Sequence, residues 1–335
     1  MAPVCRTNIR YLPKASNMKA LICGVAGQDG SYLAELLLKK GYDVVGTSRD
    51  SMITSFSNLE RLGIQNDLQT TSMAINDFRS VLNVVRRHQP DEIYNLAGQT
   101  SVGLSFEQPV EAMESIGEGT LNMLEAIRFV DRPIRFYNAG SSECFGDTGT
   151  MTADEKTSFQ PRSPYAVAKS TAYWLARSYR DSYGMFACTG ILFNHESPHR
   201  PERFVTQKIV RAAARISLGS GETLQLGNID IWRDWGWAPD YVDAMWRMLQ
   251  HSVAEDFVIA TGKTNSLEYF VSRAFAFFNL NWKDHVKVNA SLFRPSDINQ
   301  NSANPSKAKR ILDWEAKMDL ESVIDRMCET AIEKQ

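Results

Sequence analysis

The stretch from Lys19 to Gly30 limits the folds open to this chain more than any other. Residues 19–23 are a short apolar run with strand character, and they pass straight into Gly24-Val25-Ala26-Gly27-Gln28-Asp29-Gly30. Residues 31–40 then set Leu33, Leu36 and Leu37 at helical spacing and stop at Gly41. A strand, a glycine turn and a helix in that order begin a β-α-β unit, whose parallel strands must be covered by helices on both faces. The glycines allow a tight turn and a close approach of the backbone to a pyrophosphate, which the helix N-terminus attracts. The spacing is G-x-x-G-x-x-G, and Gly24, Gly27, Gln28, Asp29 and Gly30 are read as dinucleotide-binding residues.

The pattern repeats downstream. Strands are expected at 43–47, 70–74, 92–97, 134–138, 186–193 and 257–260, and helices at 78–88, ending before Pro90, and at 110–130. Strands alternating with helices over ~170 residues predict an α/β fold, a doubly wound parallel sheet of the Rossmann type. Beyond about residue 194 the chain is less regular and richer in Trp, Arg and Pro. The expected organisation is a loose N-terminal tail over 1–17, a dinucleotide-binding domain over 18–193 with a returning segment near 230–262, and a smaller C-terminal substrate-binding domain mainly over 194–335.

Composition excludes several functions. The chain has 335 residues with 37 basic and 39 acidic side chains, a net charge of −2. That balance offers no field for nucleic acid or an anionic membrane surface, so any anion must be met by local clusters. No run of about 18 apolar residues occurs, so no membrane span is expected. The five cysteines are scattered, without C-x-x-C spacing. Neither a metal site nor a disulfide framework is expected, and the default setting is the reducing cytoplasm. Residues 1–17 carry Arg6, Arg10 and Lys14 with no acid and no apolar core, unlike a secretory signal.

In Pro164-Tyr165-Ala166-Val167-Ala168-Lys169-Ser170, Tyr165 and Lys169 stand four apart and share one face if the segment is helical. A neighbouring ammonium favours the phenolate and lowers the Tyr pKa from about 10, so the pair is expected to act as a general base on a sugar or alcohol hydroxyl. At the end of the second strand, Thr47-Ser48-Arg49-Asp50 offers both an acid for the ribose 2′-hydroxyl of NAD and an arginine for the 2′-phosphate of NADP. Arg49 comes first and tips the reading towards NADP.

The glycine loop, Tyr165 with Lys169, and Ser141-Ser142-Glu143 together resemble an extended short-chain dehydrogenase/reductase of the kind that modifies nucleotide sugars. Asn194-His195-Glu196-Ser197-Pro198, Phe204-Val205-Thr206-Gln207-Lys208, Arg233-Asp234-Trp235-Gly236, Phe293-Arg294-Pro295 and Asn304-Pro305-Ser306-Lys307 narrow the resemblance to the GDP-mannose 4,6-dehydratase family, from about residue 19 onwards. The resemblance implies tightly bound NADP(H), recycled at each turnover, and GDP-mannose as substrate. It implies catalytic roles for Ser141, Glu143, Tyr165 and Lys169. It places Arg49, Asp77, Leu96, Gly98, His195 and Arg200, with Tyr165 and Lys169, at the cofactor, and Asn194, Lys208, Arg233 and Arg294 at the substrate. A homodimer or homotetramer is implied, with no nucleic-acid or membrane partner. Two departures stand out. Ser48-Arg49-Asp50-Ser51 replaces the usual Lys/Arg-Arg-x-Ser, and Ala74 stands where an adenine-reaching Asp is usual. The rivals are a GDP-4-keto-6-deoxymannose reductase or related nucleotide-sugar epimerase, which has less use for Glu143, and, remotely, a non-catalytic NADP-binding regulatory module.

Overall fold

The computed structural model describes residues 18–333. The first half follows the alternating pattern. β1 (Lys19–Cys23), α1 (Gln28–Lys39), β2 (Asp43–Ser48), α2 (Ser57–Arg61) and β3 (Gln69–Ser72) come first. α3 (Phe78–His88), β4 (Glu92–Asn95) and α4 (Val102–Glu107) follow. The helix expected over 110–130 is three pieces: α5 (Pro109–Ala112), a π-helical turn (Met113–Glu118) and α6 (Gly119–Val130). Hydrophobic periodicity does not register one inserted residue in an otherwise continuous helix. β5 (Arg135–Ala139), α7 (Pro164–Tyr183) and β6 (Ala187–Leu192) complete this half.

The second half is less regular. β7 (Asn194–Glu196), α8 (Val205–Ser217), β8 (Leu224–Leu226), β9 (Trp232–Trp237), α9 (Ala238–Gln250) and β10 (Phe257–Ile259) lead to β11 (Thr264–Ser266) and α10 (Leu267–Phe277). β12 (Val286–Val288), β13 (Gln300–Asn301), α11 (Ser306–Leu312) and α12 (Leu320–Glu333) close it.

The main sheet has the order β10-β6-β5-β4-β1-β2-β3, and every pairing in it is parallel. A strand covered on both faces explains why β6 is buried at every position and shows no alternation of apolar and polar residues. On one face, Leu33 and Leu37 of α1 and Met245 and Met248 of α9 pack with Tyr94 and Tyr137. On the other, Val81 and Val85 of α3 and Met123 and Ile127 of α6 cover Leu21, Ile93 and Phe136. The order reverses between β1 and β4, which opens a crevice at the C-terminal ends of the strands, the place where such sheets bind ligands. β4 stops at Asn95 rather than 97 because Leu96 and Ala97 are the backbone against which Gly24 lies.

Beyond β6 the chain builds a second, smaller assembly around β9, flanked by β11 and β13 and also paired with β7. Its own core includes Ile209, Val210, Trp235, Phe270, Phe275, Ile324 and Met327. The chain still returns to the main sheet, with α9 covering one face and β10 adding the edge strand next to β6. Among the described residues no helix is long and apolar enough to cross a membrane. The expected tail, residues 1–17, lies outside the described residues.

Candidate active site

The glycine loop is held tightly. Gly24 adopts φ +83°, and a Cβ there would sit 3.1 Å from Ala97 Cα. Gly30 is where α1 crosses the loop: a Cβ would lie 2.4 Å from Gly24 O and 2.7 Å from Val25 Cα. The Gly24 and Val25 amides donate to Thr47 O at 3.1 and 3.2 Å. α1 starts from Gly27 with no side-chain cap, so its first amides are left to another acceptor, at the end of the helix that favours negative charge. A Cβ on Gly27 would meet Gly24 O at 3.3 Å and nothing else nearby. A close-approach turn and an uncapped helix at the switch point fit the pyrophosphate of a dinucleotide.

The other residues assigned to the cofactor fall into two groups. Gln28, Asp29, His195 and Arg200 form one buried network: His195 Nε2 lies 2.8 Å from Asp29 Oδ2, and Gln28 Nε2 donates to Asp29 Oδ1 and to His195 O. Arg200 Nη1 donates to His195 O at 3.4 Å, and its Nε lies 3.1 Å from Glu196. The rest are spread along the strand ends. Arg49 is exposed after β2 and pairs with Glu111 at 3.1 Å. Asp77 is the N-cap of α3, accepting from the Arg79 amide at 2.9 Å. The Leu96 amide donates to Cys23 O, and Gly98, at φ +122°, lies against Ile116 of the π-helical turn.

The catalytic candidates converge from β5 and α7. Ser163 caps α7 by accepting from the Ala166 amide at 3.1 Å, and Pro164 opens its first turn. Tyr165 is thereby fixed at the helix start, packed with Ile116, Ala168 and Ala172. The Ser141 hydroxyl faces its phenol and favours the phenolate. Lys169 lies one turn on, 5.8 Å from the Tyr165 ring centre, and its Nζ donates to Ala139 O at 2.7 Å. The expected lowering of the phenol does not occur in the protein alone. Burial pushes the Tyr165 pKa up, opposed by Ser141, and Cys144 and Glu143 push the same way as burial. Burial also pushes Lys169 down to about 8. Tyr165 and Lys169 do share one helical stretch, but the Lys169 ammonium is turned to Ala139 O, and desolvation sets the direction of both pKa values.

Glu143 sits in the 3₁₀ turn Ser142–Phe145, which Ser141 caps by accepting the Glu143 amide at 3.2 Å. Burial raises its carboxyl pKa, and Arg233 and Arg294 oppose that rise. Arg233, from β9, is 4 % exposed. It donates to Trp232 O at 2.9 Å and pairs with Asp297 at 3.5 Å, while Arg294 reaches the same carboxylate at 3.8 Å. Asn194 opens β7, half-buried, and Lys208 stands exposed in the first turn of α8.

Two residues here escaped the sequence reading. Asp297 is the shared counter-ion of Arg233 and Arg294, and its spacing of three from Arg294 was the one available signal. Asn301, buried, pairs in register with Arg233 and donates from Nδ2 to Ser142 O at 3.1 Å and Gly146 O at 3.0 Å, bracketing the Glu143 turn. Its contacts span more than 150 residues of sequence, so no local pattern announces it.

The sequence profile of a family described as GDP-mannose 4,6 dehydratase matches residues 21–327. "GDP-mannose 4,6 dehydratase 1" of Arabidopsis thaliana is 44% identical over 330 residues, covering 94% of this chain and 90% of its own length. "GDP-mannose 4,6 dehydratase 2" of the same plant is 43% identical over 324 residues, covering 94% and 87%. Among solved structures, a UDP-glucose 4-epimerase of Thermotoga maritima superposes with a TM-score of 0.83 at 22% identity, covering 93% of this chain and 98% of that one, a likeness of fold.

Proposed function

The chain belongs to the GDP-mannose 4,6-dehydratase family, and from that premise we propose that it converts GDP-mannose to GDP-4-keto-6-deoxymannose and water. The observation that carries the reading is the convergence of a carboxylate, Glu143, with the Ser141–Tyr165–Lys169 group on one side and Arg233 and Arg294 on the other. Among the described residues no side chain hydrogen-bonds the Glu143 carboxylate, which leaves it to a ligand.

The site would hold a nicotinamide dinucleotide, read as NADP(H), which would supply a hydride acceptor for C4 of the sugar and a hydride donor for C6. Gly24, Gly27, Gln28, Asp29 and Gly30 would hold its pyrophosphate, and Arg49 would meet the 2′-phosphate. Asp77, Leu96, Gly98, His195 and Arg200 line the remainder of that wall. Tyr165 takes the O4 proton as C4 is oxidised. Because burial holds that proton on the phenol, the Lys169 charge and the Ser141 hydroxyl have to offset the desolvation during the step. The 4-ketone acidifies the C5 hydrogen, which Glu143 removes. Glu143 then protonates O6 as the C6–O bond breaks, so that water leaves; as hydride reaches C6, the proton held on Tyr165, after exchange with solvent, returns to C5 and restores the phenolate. A carboxyl pKa raised by burial suits a group that must both take and give a proton. Asn194, Lys208, Arg233 and Arg294 hold the nucleotide, the arginines being suited to bidentate contact with phosphate.

The same reading includes a homodimer or homotetramer. What supports it is an exposed apolar face where α5, the π-helical turn and α6 lie beside α7: Val110, Met113, Val167 and Trp174 are all exposed there, along two adjoining grooves that share Thr171 and Leu175. A reducing, cytoplasmic setting is supported by Cys23, Cys144, Cys188 and Cys328, all buried free thiols.

The test is turnover of GDP-mannose by the purified protein with no added cofactor, in deuterated water. The expected product has lost one water by mass and carries deuterium at C5. Glu143→Gln should still bind GDP-mannose and should abolish C5 incorporation. Incorporation at the wild-type rate in that variant would remove Glu143 from the mechanism. An unchanged substrate with the wild type, alongside reduction of a 4-keto-6-deoxy sugar nucleotide, would replace the dehydratase by a reductase.

A further inference from the structure

His195 lies in β7, just where the chain leaves the main sheet, and its buried ring reaches back to the phosphate loop. Nε2 is 2.8 Å from Asp29 Oδ2, and Nδ1 is 2.8 Å from Phe193 O. A backbone carbonyl can only accept. The Asp29 carboxylate accepts as well: His195, the Gln28 amide that donates to its other oxygen at 3.0 Å, and Arg200 hold it in the ionised form. The orientation of the Gln28 amide is set independently, since Nε2 also donates to His195 O at 3.2 Å while Oε1 accepts the Ser197 hydroxyl at 2.7 Å. An imidazole between two acceptors satisfies both only if both nitrogens carry protons. The ring also stacks on Tyr241, with centres 4.6 Å apart and planes 25° from parallel, an arrangement that favours a cation.

We propose that His195 is a positioning residue, a resident imidazolium that neutralises Asp29 in the first turn of α1, so that the phosphate loop offers its amides to a dinucleotide without an uncompensated carboxylate among them. The proposal rests on the dinucleotide reading above. It accounts for an acid standing at the anion-binding end of a helix, and it ties that end to β7, which carries the chain towards the substrate side. The charged and titratable groups facing the pair are Asp29 from α1, Arg200 from the segment after β7, Glu196 on the same strand as His195, Tyr241 from α9 and, towards Asp29, Lys169 from α7 and Tyr137 from β5. Glu196 is occupied by Arg200 at 3.1 Å and by the Thr206 hydroxyl at 2.6 Å, so it does not compete for the ring. Burial opposes the charge on His195, yet Asp29 prevails: the pKa of His195 is raised and that of Asp29 lowered. A histidine with a raised folded pKa is fully charged below its ordinary value of about 6.5 and loses the charge only as pH rises through the raised value. Dinucleotide affinity should therefore fall with rising pH in that upper window.

The test has two readouts. In protein labelled with nitrogen-15 histidine and freed of nucleotide, both ring nitrogens of His195 should read as protonated near pH 7, and Asp29→Asn should return the ring to the neutral pattern. The chain has only five histidines, and His195→Gln identifies the signal. A neutral ring in the wild type overturns the proposal. By calorimetric titration with NADP(H) and NAD(H), His195→Gln should weaken binding about tenfold or more, by leaving Asp29 bare. Asp29→Asn/His195→Gln, which removes both charges, should recover to within about threefold of the wild type, beyond what independent sites would give. A double variant as weak as His195→Gln overturns neutralisation and leaves only a shape requirement. A wild type that binds neither dinucleotide defeats the reading of function, and the ring spectrum then decides the imidazolium by itself.

Discussion

At the phosphate loop, Asp29 meets His195 at 2.8 Å and Glu196 meets Arg200 at 3.1 Å. Across the crevice, Arg233 and Arg294 reach their shared Asp297 only at 3.5 and 3.8 Å, and no side chain among the described residues hydrogen-bonds the Glu143 carboxylate. The first wall pairs each acid with its own base at close range. The second holds two guanidinium groups at longer range from Asp297, with the Glu143 carboxylate beside them. A wall whose charges are paired holds its shape before anything binds. A wall with cationic donors to spare keeps its strongest interactions for an anionic ligand, where they count towards binding and orientation. Chemistry is expected on the line between them, where Ser141, Glu143, Tyr165 and Lys169 stand.

The variant with the largest expected effect lies on that line. Tyr165→Phe removes one oxygen that touches neither wall's charges, so GDP-mannose and dinucleotide binding should persist while turnover falls by ~10²–10⁴. Turnover within about tenfold of the wild type would mean another group takes the O4 proton.

A smaller effect should separate the walls. In the proposed mechanism Glu143 must be ionised to remove the C5 proton, so activity should be lost as pH falls through its raised pKa, and Arg233 and Arg294 keep that pKa from rising further. Arg294→Ala removes one of these cations. The acidic limb of the rate profile should therefore move to higher pH while KM for the GDP-sugar rises. An acidic limb that stays in place, measured with substrate in excess, would show that the substrate wall does not tune the base.

The smallest effect is expected at the outer edge of the first wall. Arg49 is exposed and held only by Glu111 at 3.1 Å, so its charge is well screened. Arg49→Ala should weaken NADP(H) binding more than NAD(H) binding and leave kcat with saturating cofactor unchanged. Equal affinity of the wild type for the two dinucleotides would remove Arg49 from the choice.

The strands and the longer helices of the first half were legible because each is announced locally, by an apolar run, a period or a glycine; the short helices α2 and α4, with too few turns to show a period, drew no expectation. The helical face shared by Tyr165 and Lys169 follows from their spacing alone. The direction of their pKa values does not, since it depends on how much water the surrounding fold removes. The π-helical turn at Met113–Glu118 escaped because a period-3.6 reading smooths over one added residue. Asp297 and Asn301 escaped for a different reason: their partners lie far away in sequence, and an Asp or Asn in a loop looks like any other turn residue.

Sequence by itself determined the parallel sheet, the glycine turn that lets backbone approach a ligand, and the family, because these rest on contacts between near neighbours and on residue types with few substitutes. Tertiary structure alone decided which charges are compensated. Asp29 and His195 stand 166 residues apart, and Asn301 brackets a turn more than 150 residues before it. The strength and sign of an electrostatic contact depend on distance and desolvation, and both exist only once the chain has closed on itself.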